Sequence, residues 1–204
     1  LRIDGKNIIL RDWQVRDLAE YELWRQPGQV WEKFNGPYYS KPSAAEVAKL
    51  IAELREKIRC GQFAEPREEL VIAESSTDRL IGRVSWYWQG KETNWLSVGI
   101  AVFNPDCWGR GIGYEALGLW SEYLFRAMPV LARLDLRTWS GNKGMMRLAE
   151  KLGYTQEACF RKARIVNGEY YDSIGYGVLR EEWDAVYPDG FIAALSDKSG
   201  DRKK

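Results

Sequence analysis

Three glycines at every second position, Gly109, Gly111 and Gly113, stand in the segment VGIAVFNPDCWGRGIGYEALGL, Val98 to Leu119. A β-prone run leads in and an apolar helical run leads out. Glycine allows close backbone approach and unusual φ angles. A helix start adds N–H groups without intrahelical partners and a partial positive charge. Together they make an anion site suited to a pyrophosphate. The phosphate loop GxxxxGK[ST] is absent. The dinucleotide fingerprint matches formally from Gly111 to Ala116. That fingerprint should begin at the strand end, however, and Asn104 to Arg110 intervene. Its acidic partner, roughly 20 residues on, would be Asp135, which falls in the middle of a strand-like run. A plain structural turn is the remaining alternative.

The chain contains no histidine. That excludes a Ser-His-Asp triad, a Cys-His pair and an imidazole metal cage. Acid–base chemistry is left to carboxylates, tyrosine, backbone groups or water. Cys60, Cys107 and Cys159 are odd in number and far apart, without a CxxC pair. Neither a disulfide framework nor a zinc site is expected, and no other metal site; a reducing cytoplasm is the expected compartment. Net charge is +1, which gives no electrostatic case for a nucleic-acid or membrane partner. No apolar run approaches the ~20 residues of a membrane span, and no secretory signal is expected.

The elements that must position the loop are legible in outline. Ile8 to Asp12 is β-prone, and Val15 to Trp24 carries helical spacing. Gln26 to Pro42, rich in Gly, Pro and aromatics, reads as an ordered loop or broken helix. Ser43 with Glu46 forms a capping box. The helix it opens repeats Val47, Leu50, Ile51, Leu54 and Ile58 and stops near Gly61. Strands follow at Leu70 to Ala73, Leu80 to Trp88 and Trp95 to Phe103. A helix from about Gly113 to Ala127, a strand from Arg133 to Trp139 and a helix from Asn142 to Leu152 come next. Two long strands, Gln156 to Val166 and Glu169 to Leu179, are joined by Asn167-Gly168, a type I′ hairpin signal. The order predicts a single α/β (α+β) domain over residues 1–195, with a mixed, mostly antiparallel central sheet flanked by helices. Residues 196–204 read as a disordered polar tail.

The segment Trp108 to Ala116, WGRGIGYEA, resembles the acetyl-CoA loop of GNAT acetyltransferases, whose general pattern is R/Q-x-x-G-x-G/A. Gly111 and Gly113 match it, and Trp108 stands where Arg or Gln is common. The likeness is greatest to the RimJ/RimL branch, in which WGKG is frequent. It extends to Asn142 to Tyr154, like that branch's N-x-x-S…EKLGF segment, and to GEYYDSIGYGVLREEW, Gly168 to Trp183. The resemblance implies acetyl-CoA as co-substrate and a primary amine as acceptor, either a peptide N-terminus or a small molecule. A homodimer is compatible with it. It implies that the strand before the loop splays from its parallel neighbour and that the pantetheine arm lies along Ala101, Val102 and Phe103. The N–H groups of Trp108, Gly109, Arg110, Gly111, Ile112, Gly113 and Tyr114 would cradle the pyrophosphate. An N–H near Val102 would polarise the thioester carbonyl.

The catalytic positions are less well filled. Asn142 reads equally as an N-cap and as an amide binding the coenzyme arm or a water. Tyr171 and Asp172 match the branch's hairpin and are candidate catalytic groups, with hairpin hydrogen bonding as the alternative. Where many GNAT enzymes carry a tyrosine acid, this chain has Ala149; Met145 replaces the branch's serine, and Ser97 stands near the usual carboxylate. A non-catalytic acyl-CoA sensor is therefore the second reading. Trp86, Tyr87, Trp88, Trp95 and Trp139 form core or an aromatic acceptor pocket, with Trp86 and Trp88 on one face and Tyr87 on the other. Cys107 could in principle relay an acyl group, but direct attack is expected instead. Without an evident base, the acceptor should be partly neutral already. An α-amino group has a pKa of about 7.7–8.0, a lysine side chain about 10.4, a gap worth roughly 3.5 kcal/mol. Glu92, Asp172 or a water chain are the candidates left for base.

Overall fold

The computed structural model describes residues 1–197. Eight strands form one sheet: β1 (Arg2–Asp4), β2 (Ile8–Arg11), β3 (Glu69–Glu74), β4 (Leu80–Gly90), β5 (Trp95–Val102), β6 (Arg133–Trp139), β7 (Thr155–Val166) and β8 (Glu169–Leu179). Their spatial order is β1-β2-β3-β4-β5-β6-β8-β7. Every neighbouring pair is antiparallel except β5 and β6. The helices are α1 (Asp17–Trp24), α2 (Ala44–Arg59), α3 (Ile112–Ala127), α4 (Lys143–Lys151), α5 (Arg180–Val186) and α6 (Phe191–Asp197). This is the mostly antiparallel α/β architecture that the element order implies.

Alternation along the strands sends apolar side chains to two cores, one on each face. Leu70, Ile72, Val84, Leu96 and Leu134 pack with Leu117, Trp120 and Leu124 of α3. Val71, Ala73 and Phe103 pack on the other face with Leu18 and Tyr21 of α1 and with Val47, Ile51 and Leu54 of α2. Helix α3 is buried over most of its circumference because the sheet lies on one side and α6 on the other. Helix α2 exposes its outer face, and the Ser43–Glu46 capping box is formed at its start.

The β7–β8 hairpin turns at Asn167 (φ 51°) and Gly168 (φ 83°), as a type I′ turn requires. Its register slips between Phe160 and Arg164, where Lys162 has φ 56°. Three elements give no clear sequence signal. Strand β1 is only three residues long. Helices α5 and α6 are separated by Tyr187 to Gly190, but Trp183, Tyr187 and Phe191 still join the core. Ser196 and Asp197 belong to α6, where the sequence suggests the tail has begun. The rest of that expected tail, 198–204, lies outside the described residues.

Candidate functional site

Strands β5 and β6 pair in parallel only from Leu96↔Leu134 to Val98↔Leu136. Both continue, β5 to Val102 and β6 to Trp139, each paired with its outer neighbour but no longer with the other. The N–H of Phe103 donates to Ile81 O at 2.8 Å, towards β4. Strand alternation therefore turns the backbone groups of Ile100 and Val102 into the gap. A groove of about 830 Å³ opens there. Its size suits a small-molecule site.

The glycine loop closes one end of the groove. A short 3₁₀ turn, Pro105–Cys107, is capped by Asn104, whose side chain accepts the Asp106 N–H at 3.0 Å. Gly109 and Gly111 then take φ of 72° and 86°, a left-handed conformation costly for other residues. Gly111 is the N-cap of α3. A Cβ added at Gly109 or Gly111 would meet no protein atom within 4 Å, whereas one at Gly113 would face Leu148 Cδ2 at 3.3 Å. The loop thus presents open backbone and the start of α3 to the groove, a fit for a pyrophosphate. The Trp108 indole donates to Val102 O at 2.9 Å and pins the loop to the end of β5. From α4 come Arg147 and Lys151, with the Lys151 ammonium 4.8 Å from the Tyr114 ring.

Of the residues singled out in the sequence, Ala101, Val102, Trp108, Gly109, Gly111, Gly113, Tyr114 and Asn142 line this groove. Phe103 does not: its side chain is 1% exposed and packs on Tyr21, Trp24 and Trp31. Ile112 is buried in the core, and Arg110 lines a separate small recess with Glu20, Glu74 and Arg79. Asn142 caps α4, accepting the Met145 N–H at 3.1 Å, while its amide donates to Phe34 O at 3.2 Å. Cap and groove wall coincide in this one residue.

Tyr171 and Asp172 are not among the groove's lining residues. Tyr171 stands edge-on to Trp139, with ring centroids 4.8 Å apart. The Asp172 carboxylate accepts the Lys162 N–H at 2.8 Å, holding the bulge of β7. Its backbone exchanges hydrogen bonds with Ser140, one to the hydroxyl at 2.9 Å and one from the Ser140 N–H at 3.0 Å. Asp172 thus holds the hairpin bulge and the end of β6, while Tyr171 backs the groove wall through Trp139.

The other end of the groove is aromatic and basic. Along β4, Arg83, Ser85 and Tyr87 face it. Trp86 and Trp88 turn to the α3 side, 5.2 Å apart, and Trp86 donates to Arg67 O at 2.7 Å. The aromatic walls are therefore Tyr87 and Trp139, joined by Tyr38 and Tyr39 from the α1–α2 connection. That connection is tied down where the Trp139 indole donates to Phe34 O at 3.1 Å. Tyr38, Arg147, Lys151 and Arg164 are groove residues that the sequence reading does not identify. Arg147 and Lys151 had a signal, an i,i+4 basic pair on the helix that Asn142 opens. Tyr38 and Arg164 had none, because they reach the groove from distant segments.

No wall of the groove carries a carboxylate among the described residues. Ser97 is fully buried. Glu92 lies on an exposed 3₁₀ turn. Burial pushes the Tyr38 phenol above its usual value, so it is a poor base near neutrality. Burial likewise raises the Cys107 thiol, against a thiolate nucleophile. Among the described residues no group of His, Cys, Asp and Glu could hold a metal ion, and no helix is long and apolar enough to cross a membrane.

Comparison with known proteins places this fold and sequence in a family. Residues 7–155 match the family model of the acetyltransferase (GNAT) domain. The uncharacterized N-acetyltransferase YnaD of Bacillus subtilis (strain 168) is 30% identical over 186 residues, 90% of this chain and 100% of the relative. The SPbeta prophage-derived uncharacterized N-acetyltransferase YokL of the same strain is 24% identical over 180 residues, 88% and 94% of the two chains. A GNAT-family acetyltransferase from Bacillus anthracis superposes with a TM-score of 0.69 at 18% identity, covering 89% of this chain and 99% of that one. RimL, a ribosomal alpha-N-protein acetyltransferase in complex with coenzyme A, superposes at 0.66 with 16% identity, covering 88% and 98%. With a family model spanning most of its length and a relative matched end to end, the chain belongs to the GNAT family of acetyl-CoA-dependent acetyltransferases.

Proposed function

We propose that the protein transfers acetyl from acetyl-CoA to a primary amine that is partly neutral at pH 7, a peptide N-terminus or a small-molecule amine. The observation that carries this is the strand gap beyond Val98↔Leu136, which opens directly onto the glycine loop. In this reading Trp108 to Tyr114 hold the pyrophosphate by backbone N–H groups. Arg147 and Lys151 offset phosphate charge at the same end. Ile100 and Val102 offer backbone groups to the pantetheine arm and to the acyl oxygen. Acetyl-CoA supplies an activated thioester; the neutral amine forms the new C–N bond, the C–S bond breaks, and the one proton lost by the nitrogen reaches the departing thiolate, directly or through solvent, so that coenzyme A leaves as the thiol.

The lack of a carboxylate on the groove's walls supports an acceptor that needs no strong base. At pH 7 about a tenth of an α-amino group is neutral, against a few parts in ten thousand of a lysine side chain. The five cations of the groove, Arg83, Arg137, Arg147, Lys151 and Arg164, also disfavour an ammonium nearby. The likeness to RimL, a protein N-terminal acetyltransferase by name, favours a peptide N-terminus within this class.

The test is a competition at pH 7 between a lysine-free peptide with a free N-terminus and an N-blocked peptide containing lysine. The free N-terminus should be acetylated preferentially, as mass spectrometry will show. Preference for the blocked lysine peptide would contradict the reading. Coenzyme binding without reaction of either peptide, or of small amines, would instead favour an acyl-CoA sensor.

A further inference from the structure

We propose that the acceptor carries an anionic group, such as a carboxylate, on the same molecule as its amine, and that Arg164 selects it. This rests on the transfer reading above and adds the chemical class of the acceptor.

The five cations of the groove are not equivalent. Arg147 and Lys151 stand on α4 beside the glycine loop, where Leu148 approaches Gly113. Phosphates account for them. Arg83 is already paired with Glu69 at 2.7 Å. Arg137 lies 3.9 Å from Asp135 and rests on the Trp95 ring at 5.8 Å. Arg164 differs: among the described residues it makes no ion pair. Its guanidinium lies 4.6 Å from the centroid of Tyr38, and its Nη1 donates to Ala163 O at a long 3.4 Å. Its Nε is shielded from solvent without a hydrogen-bond acceptor. A shielded guanidinium donor without an acceptor is costly, and a bidentate carboxylate is the partner that best matches its fork.

The position suits a role in acceptor choice. Tyr38, on which Arg164 rests, is 6.5 Å from Trp139 between ring centroids, and both line the acceptor end. Arg161 and Lys162, exposed residues of the same strand, add positive charge to β7. With no acidic residue on the groove's walls, a polyamine or a lysine-rich segment would be repelled, and an acidic chain leaving the groove would be attracted.

Three peptides with one free N-terminal residue, followed by two glutamates, two glutamines or two lysines, form the test. A free amino acid and its methyl ester form a second arm that separates a small-molecule source from a peptide source. Wild type should show higher kcat/KM for the acid of at least one arm than for its neutral counterpart, by about tenfold or more, through KM. In Arg164→Gln that ratio should fall towards one, with Arg164→Lys between the two. The dissociation constant of acetyl-CoA, set at the other end of the groove, is the control for folding. Turnover without preference for the acid, or with preference for the dilysine peptide, overturns the inference and leaves acetyl transfer standing. An acidic preference that persists in Arg164→Gln removes Arg164 as the selecting residue. Absence of both acetyl-CoA binding and turnover overturns the transfer reading, and this inference with it.

Discussion

Gly111→Val should weaken acetyl-CoA binding by about a hundredfold or more, while Gly113→Ala should leave it nearly unchanged. The two glycines are two positions apart but stand in different situations. Gly111 has φ 86° and lines the groove, and an added Cβ would project into open space there. A β-branched residue is strained in that conformation by roughly 1–3 kcal/mol and would also fill the approach of a pyrophosphate. Gly113 has ordinary helical backbone, and its Cβ would point at the flexible end of Leu148. Gly113 lies in the first turn of α3, so alanine there brings only a small gain in helix propensity against a small packing adjustment. Titration calorimetry on the folded variants separates affinity from stability, with circular dichroism as the check on the fold. Equal affinities for Gly111→Val and wild type would place the coenzyme elsewhere.

Glu115→Ala should cost about 3 kcal/mol of stability, because it removes a buried acceptor that several backbone donors share. Glu115 follows the glycine loop on α3 and is 2% exposed. Its carboxylate accepts the backbone N–H groups of Lys6, Asn7 at 2.8 Å and Ile8 at 3.2 Å, and the Asn7 side-chain amide at 2.9 Å. It therefore anchors the turn between β1 and β2 to the first turns of α3. Alanine would remove the acceptor of four donors, of which the Ile8 N–H is buried and those of Lys6 and Asn7 sit at an exposed turn. Glutamine keeps one acceptor oxygen and should lose less. Urea unfolding measures both, and for a chain of this size the alanine variant should melt about 10 °C lower. A loss below about 1 kcal/mol would mean that the N-terminal hairpin contributes little to the fold.

The sequence makes the local elements legible and leaves their assembly hidden. The capping box at Ser43, the Asn167-Gly168 turn and the strand-loop-helix passage through Gly111 are set by neighbours a few residues apart, and the structure contains each. Helix α5 escapes notice because it is only seven residues long, too short for a clear period. The groove is harder to read, since the end of β5–β6 pairing at Val98 is a property of two distant strands. Alternation does put Trp86 and Trp88 on one face and Tyr87 on the other, but the period does not say which face the groove occupies. For Asp172, the backbone N–H that occupies its carboxylate exists only because β7 slips register near Lys162, and a register slip is a property of pairing. Arg164 and Tyr38 meet across more than a hundred residues, so nothing local marks either one.

The central claim is that the groove between β5 and β6, with the glycine loop at its end, binds acetyl-CoA through its pyrophosphate. Thermal unfolding with increasing acetyl-CoA tests it most directly, with pantetheine, NADH and ATP in parallel. A ligand that binds only the folded state stabilises it by about 2.7 kcal/mol at a hundred times its dissociation constant, which corresponds to about 5–10 °C for a chain of this size. Acetyl-CoA should produce that rise, and pantetheine, which lacks the pyrophosphate, should produce much less. A larger shift with NADH or ATP than with acetyl-CoA, or an equal shift with pantetheine, would contradict the account.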